Sequence, residues 1–347
     1  MKKNELGQYF TVKNSWITRP VLSFINKNIL SRNLILDPFA GNGDLFDAIN
    51  SKIPNKEFEY KGFDIDKELS WEINDSLKQI PLNSPDKTFI ITNPPYLAKN
   101  SCKRNGFNDT YKKYFNNSMH VDLYLIALET MIDLKIPGVA IVPETFINSK
   151  FSKEFISKIV IIEPNPFADT EVPICIVCFD GSKKQDCVIY KNNDKIGKLS
   201  KLLEMNPLAK NINLFDLRFN DIKGRIAIKG VDSTNPNEKI KFLNKSDLNY
   251  NLSNIKVSSR AITIINSKKL SNLDDKSIEK MIDCSNSLLN NYREQTRDVL
   301  LTPFKGNDKN NSRRRRLDFK IARAIIEIAY QKVIIGDING TELQLHS

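Results

Sequence analysis

Asn33-Leu34-Ile35-Leu36-Asp37-Pro38-Phe39-Ala40-Gly41-Asn42-Gly43-Asp44-Leu45 decides the fold. Its first four residues have the composition of a short buried strand, and Phe46, Ala48 and Ile49 after it suit one face of a helix. Strand, glycine turn and helix in that order form the first unit of an open α/β sheet. The glycines allow close approach of a ligand to the backbone, and Asp37 is placed to bind a cation or an amine at the turn. A pyrophosphate would be repelled by Asp37 and Asp44.

Working outward, a second strand from Phe58 to Phe63 runs into Asp64-Ile65-Asp66. An acid at this interval and position accepts hydrogen bonds from ribose hydroxyls. The pocket therefore wants a nucleoside with a positive or zwitterionic extension, and Asp75-Ser76 is placed to sit over its base. Upstream, Gly7-Gln8-Tyr9-Phe10-Thr11 precedes a helix-like run from Ile17 to Ile29.

The next strand, Thr88-Phe89-Ile90-Ile91-Thr92, ends at Asn93-Pro94-Pro95-Tyr96. Two prolines remove two backbone donors and fix two φ angles, which aims the Asn93 amide and the Pro94 carbonyl into the space beyond the strand. Converging acceptors suit an exocyclic amino group, and the adjacent tyrosine ring suits a planar base. The competing reading of this stretch is a proline-rich strand exit.

A chain of 347 residues, 40% of them hydrophobic, can bury the core of one large domain or two ordinary ones. No apolar run approaches a membrane span and Met1-Lys2-Lys3-Asn4-Glu5 lacks a signal-peptide core, so a cytoplasmic protein without a membrane partner is expected. Five cysteines make no disulfide framework; Cys175 and Cys178 read as small strand hydrophobes within Val172 to Phe179, and no metal site is expected. The charge is uneven: 25 basic residues face 24 acidic ones up to Lys195, and 27 face 17 afterwards. Such a surplus suits a polyanion at the C-terminal part, or a basic solvated surface.

Leu97 to Phe115 interleaves Lys99, Lys103, Arg104, Lys112 and Lys113 with aromatic residues, as a phosphate-tracking segment or a solvated lid would. A helix is expected from Asp122 to Met131, and strands at Gly138–Val142, Lys158–Ile162 and Val172–Phe179. After about Ile196 the periodicity weakens, and Arg225 and Arg260 lie on short basic runs. Arg313-Arg314-Arg315-Arg316 reads either as a phosphate clamp or as the solvated start of the helix-like run Phe319 to Val333.

Together these residues resemble the amino-methyltransferases that use S-adenosylmethionine, most closely the gamma-type DNA adenine-N6 methyltransferases of restriction-modification systems, over residues 7 to about 180. The resemblance implies that Asn93, Pro94, Pro95 and Tyr96 are the catalytic motif and that Phe167 packs on the target base opposite the tyrosine. It implies a cofactor site of Tyr9, Phe10 and Thr11 at the methionine carboxylate, the loop Asp37, Pro38, Ala40, Gly41 and Gly43, Asp64 at the ribose, Ile65 against the adenine, Asp75 at its amino group, Ser76 beside it, and Asn93. Ser76 departs from the pattern, because some relatives carry a phenylalanine there.

The expected architecture is a Rossmann-like α/β methyltransferase domain with a mainly parallel sheet over residues 1–195, and a smaller target recognition domain over 196–347. The expected reaction is methyl transfer from S-adenosylmethionine to N6 of a flipped adenine in double-stranded DNA, leaving S-adenosylhomocysteine and using no metal. Lys99, Lys103, Arg104, Lys112, Lys113, Arg225, Arg260 and Arg313 to Arg316 are the candidate DNA contacts. A restriction endonuclease acting on the same sequence is the expected partner in the system. The alternatives are a methyltransferase for ribosomal RNA or protein glutamine, and a catalytically silent nucleic-acid-binding subunit; the long basic C-terminal part opposes the protein substrate, and the intact motif opposes the silent subunit.

Overall fold

The computed structural model describes residues 14–166 and 171–336 and divides the chain into two units after Ser200. The first unit is built from α1 (Arg19–Asn28), β1 (Leu34–Asp37), α2 (Asp44–Lys52), β2 (Glu59–Asp64), β3 (Glu72–Ile73), β4 (Thr88–Thr92), α3 (Lys99–Asn105), α4 (Asn108–Tyr114), α5 (Leu123–Asp133), β5 (Gly138–Pro143), β6 (Ile156–Ile161), β7 (Ile174–Phe179), β8 (Val188–Lys191) and β9 (Asp194–Lys198). Pro20 pre-sets the backbone of the first turn of α1, and Asp44 and Asp47 complement the dipole at the start of α2. β4, β5 and β7 are buried at every position, which is why they read as continuous apolar runs with no alternation.

The nine strands form one sheet in the order β3-β2-β1-β4-β5-β7-β6-β8-β9. Pairing is parallel from β3 through β5, and β7 enters antiparallel between β5 and β6, with Ala140 opposite Val177 and Val160 opposite Ile176. The mixed, mostly parallel α/β sheet expected from the sequence is therefore present. α1 and α2 cover the face that carries Ile35, Phe89, Ile91, Val139 and Ile141. Each large side chain fully buried there stabilises the fold by about 1.5–3 kcal/mol. Cys175 and Cys178 are both fully buried in β7, in the part of small strand hydrophobes, and burial pushes both thiols up. Chain order reverses between β1 and β4, so ligands belong in the crevice beyond the carboxyl ends of these two strands.

The expected boundary at Lys195 cuts through β9, whose residues pair with β8; the first unit therefore runs five residues further. α6 (Leu199–Glu204) leads into the second unit, which contains β10 (Arg218–Phe219), β11 (Ile226–Lys229), β12 (Lys241–Asn244), β13 (Ile262–Asn266), α7 (Lys268–Ser271), α8 (Asp275–Thr296), β14 (Thr302–Asn307), β15 (Arg313–Arg316) and α9 (Phe319–Tyr330). Its four-stranded antiparallel sheet has the order β10-β13-β11-β12, and β14 and β15 form a separate hairpin. Asn286 of α8 brackets Phe242 of β12 by accepting from its N–H (2.8 Å) and donating to its carbonyl (2.9 Å).

The four arginines correct the sequence reading. They are a strand, with Arg313 and Arg315 buried and only Arg314 and Arg316 partly exposed, so they are not a solvated helix start and the two buried ones present no surface clamp. The strand is held to the loop after β11: the Asp232 carboxylate accepts from the Arg315 N–H at 3.0 Å, the Ile240 N–H at 3.0 Å and the Arg293 guanidinium at 2.8 and 3.0 Å. Burial alone would raise the Asp232 carboxyl, but hydrogen bonding and the charge of Arg293 hold it below its ordinary value. Arg314 donates to the Asp232 carbonyl at 2.8 Å and lies over the Phe304 ring, and Arg316 pairs with Asp318 at 3.6 Å.

Candidate active site at the carboxyl ends of β1, β2 and β4

Asp37 is the last residue of β1 and its carboxyl is buried. One oxygen accepts from the Thr92 hydroxyl at 2.6 Å and the Phe39 N–H at 2.9 Å, which ties the turn after β1 to the end of β4. Burial pushes this carboxyl up to about 7; the two hydrogen bonds pull it down, and the Asp64 charge adds to the rise. Nothing in the sequence singles out Thr92, yet it stands directly before Asn93 and joins the two halves of the site.

The loop after Asp37 uses left-handed backbone at Gly41 (φ 52°) and Gly43 (φ 84°), conformations that other residues rarely adopt. Gly41 donates its N–H to Asp64 at 3.0 Å, and the other Asp64 oxygen accepts from the Asp66 N–H at 2.9 Å. The Trp71 indole N–H donates to the Gly41 carbonyl at 2.8 Å, and its ring lies against Gly43 and Gly62. A Cβ at Gly62 would stand 2.6 Å from that ring and 2.8 Å from the Ala40 Cβ, so the glycine makes room for the brace. Trp71 is equally silent in the sequence, since nothing there pairs it with a loop thirty residues upstream.

Asp64, Ile65, Asp75 and Ser76, expected at the cofactor, do line one pocket, and Phe39, Asn74, Leu77, Pro95 and Tyr114 complete it. The buried Ser76 hydroxyl accepts from the Asn74 amide at 2.9 Å. Asp75 accepts from Lys113 at 2.8 Å and from the Tyr114 hydroxyl at 3.2 Å to each oxygen. Acids at Asp64 and Asp75 with apolar faces between them, and Asp37 beneath the neighbouring loop, form an acceptor-rich wall. It fits a nucleoside that carries donors and a cationic extension.

Pro95 brings the Asn93–Tyr96 motif into contact with this pocket. Asn93 lies just beyond β4, half-buried, while Pro94 and Pro95 are buried. Tyr96 is half-buried, with its hydroxyl 2.5 Å from the Asn93 amide oxygen and 2.9 Å from the Ile141 carbonyl, and its ring meets Tyr124 edge-on with centroids 6.3 Å apart. The segment after the motif is pinned by an antiparallel bridge of Ala98 to Asp122, whose carboxyl burial pushes up to about 7.

Of the basic residues expected at DNA, Lys103, Arg104 and Lys112 are exposed on α3 and α4. Lys99 instead donates to the Phe115 carbonyl at 3.1 Å, and Lys113 is engaged by Asp75. In the second unit Arg260 is exposed, with its guanidinium 4.4 Å over Phe319, a ring that stacks on Phe219 at 4.2 Å. Arg225 is held by the Leu273 carbonyl and Asp275. Tyr9, Phe10, Thr11 and Phe167 lie outside the described residues.

Residues 5–165 match the family described as Eco57I restriction-modification methylase. No curated protein sequence gives a significant match. Similar solved structures include one titled a class I S-adenosylmethionine-dependent methyltransferase, from Listeria monocytogenes, at 16% identity over 55% of this chain and 67% of that one, TM-score 0.38. A type I restriction-modification methyltransferase subunit from Streptococcus thermophilus shares 13% identity over 57% of this chain and 53% of that one, TM-score 0.38. The type I restriction enzyme EcoKI M protein shares 11% identity over 46% of this chain and 44% of that one, TM-score 0.31. The chain thus spans about half or less of the length of the last two. Residues 5–165 are thus similar to a restriction-modification methylase domain, the family that the Asp37 loop and the Asn93–Tyr96 motif also resemble.

Proposed function

We propose that this chain transfers the methyl group of S-adenosylmethionine to N6 of an adenine flipped out of duplex DNA, as the modification enzyme of a restriction-modification system. The observation that supports this most is the continuity of the Asn93–Tyr96 motif with the nucleoside pocket through Pro95, at the switch point between β1 and β4. The cofactor, when bound, supplies an electrophilic methyl group. Asp64 and Asp75 accept from its ribose and base, and Tyr9, Phe10 and Thr11 are assigned to its carboxylate by resemblance.

The aromatic amine presents a lone pair delocalised into the purine. Asn93 and Pro94, each offering a carbonyl oxygen, accept the two N6 hydrogens and favour a tetrahedral nitrogen whose lone pair points at the methyl. Tyr96 and Phe167 replace the stacking lost on flipping, about 1–3 kcal/mol per ring. The second unit is assigned to target recognition, with Arg260, Arg314 and Arg316, together with Lys103, Arg104 and Lys112 of the first unit, as phosphate contacts. A cognate endonuclease completes the system.

Asn93→Ala tests the reading. Because the interaction tightens only as the nitrogen pyramidalises, single-turnover methylation of adenine should collapse while DNA and cofactor affinities stay near wild type. Methylation at near-normal rate by a folded Asn93→Ala protein would remove the assigned role. Labelled methyl transfer to DNA followed by identification of the modified base tests the adenine-N6 product.

A further inference from the structure

Asp75 is 39 residues from Tyr114 in sequence, yet the two meet in the nucleoside pocket. Tyr114 ends α4, its side chain is buried, and it lines the same cavity as Ile65, Asp75 and Pro95. Phe39 and Tyr114 are the aromatic residues among those lining it, whereas Ser76 offers only a short hydroxyl already engaged by Asn74. The Tyr114 hydroxyl stands 3.2 Å from both Asp75 oxygens, and Lys113 lies 2.8 Å from one of them.

Two donors on one carboxylate fix its plane, and a carboxylate has enough lone pairs to accept a third donor as well. That third donor is an amino group; a carbonyl oxygen in its place would face the carboxylate as one acceptor against another. We infer that Tyr114 is a cofactor-binding residue that supplies the aromatic wall absent at position 76, and that Tyr114 and Lys113 are positioning residues that present Asp75 to the exocyclic amino group of the cofactor's base. The inference rests on the cofactor reading proposed above. It gives the segment after the catalytic motif a second role, because α3 begins three residues beyond Tyr96 and α4 ends in the nucleoside pocket.

The test is calorimetry on the full chain with S-adenosylhomocysteine and with its inosine counterpart, in which a carbonyl replaces the amino group. Wild type should bind the adenosine compound and discriminate against the inosine one. Tyr114→Phe keeps the ring and loses one donor, so affinity should fall about two- to tenfold and discrimination should narrow. Lys113→Met should narrow discrimination in the same way. Tyr114→Leu removes the aromatic face and should weaken binding of both compounds by about tenfold. If Tyr114→Leu does not fold, the other two variants still decide the positioning role, because both keep the buried ring. Wild-type affinity and discrimination in Tyr114→Phe and Lys113→Met would overturn the positioning role, and unchanged affinity in a folded Tyr114→Leu would overturn the aromatic wall. Absence of binding by the wild-type protein would instead remove the cofactor reading itself, and this inference with it.

Discussion

Burial keeps a proton on Asp37 that an unfolded chain gives up: the folded carboxyl titrates near 7, the unfolded one near 3.8. Its contribution to stability is therefore complete below about pH 4 and is lost as pH rises through 7. Asp37→Asn keeps the acceptor for Thr92 and Phe39 without the charge, so its stability relative to wild type should rise between pH 5 and pH 8, as read by urea denaturation. A difference that stays flat over that range would mean Asp37 is ionised throughout. Asp64→Ala removes the proposed ribose acceptor and also strands the Gly41 and Asp66 N–H groups, so S-adenosylmethionine binding should weaken by about 1–3 kcal/mol in calorimetry. Tyr96→Phe keeps the stacking face and deletes the hydroxyl beside the Asn93 amide; the methylation rate should drop about two- to tenfold, less than for Asn93→Ala. Tyr96→Ala should instead lower the population of flipped base, which 2-aminopurine fluorescence at the target position reports.

Among the elements legible in the sequence, β1, β4, β5 and β7 share one physical property: they are apolar runs bounded by turn residues, and burial on both faces is what such runs mean. The acids that end β1 and β2 are legible for the same reason, because position in a βα unit is a local property. Roles set by distant partners are not. The run Arg313 to Arg316 reads as a phosphate clamp or a solvated helix start because its charges have no local partner, and Asp232, which accepts from the Arg315 N–H, lies some eighty residues upstream. Tyr114 can be recognised as aromatic but not as a partner of Asp75, and Thr92 as a strand residue but not as the clasp on Asp37. The buried network around β15 carries its own expectation. Arg293→Met leaves the Asp232 carboxylate buried without its guanidinium and should destabilise the second unit by about 3–5 kcal/mol in chemical denaturation. A loss under about 1 kcal/mol would show that the backbone N–H donors satisfy Asp232 unaided.

Across the whole molecule, the basic surplus that points to a polyanion is partly consumed inside the second unit, where Arg293, Lys239 and Arg225 pair with acids. The exposed cations remain, and DNA affinity should fall steeply with salt. Replacing Lys103, Arg104 and Lys112 with Gln should reduce the log–log salt slope by about one for each phosphate left without its cation. An unchanged slope would return these three to the solvated surface, and Arg260→Gln applies the same test to the second unit. Finally, the chain contains two tryptophans: Trp16 sits fully buried in the core of the first unit, and Trp71 holds the Gly41 carbonyl in the loop after β1, which is proposed to hold the cofactor. One indole is a constant background and the other a native optical probe, so occupancy of the loop is readable as a change in unlabelled emission that Trp71→Phe abolishes.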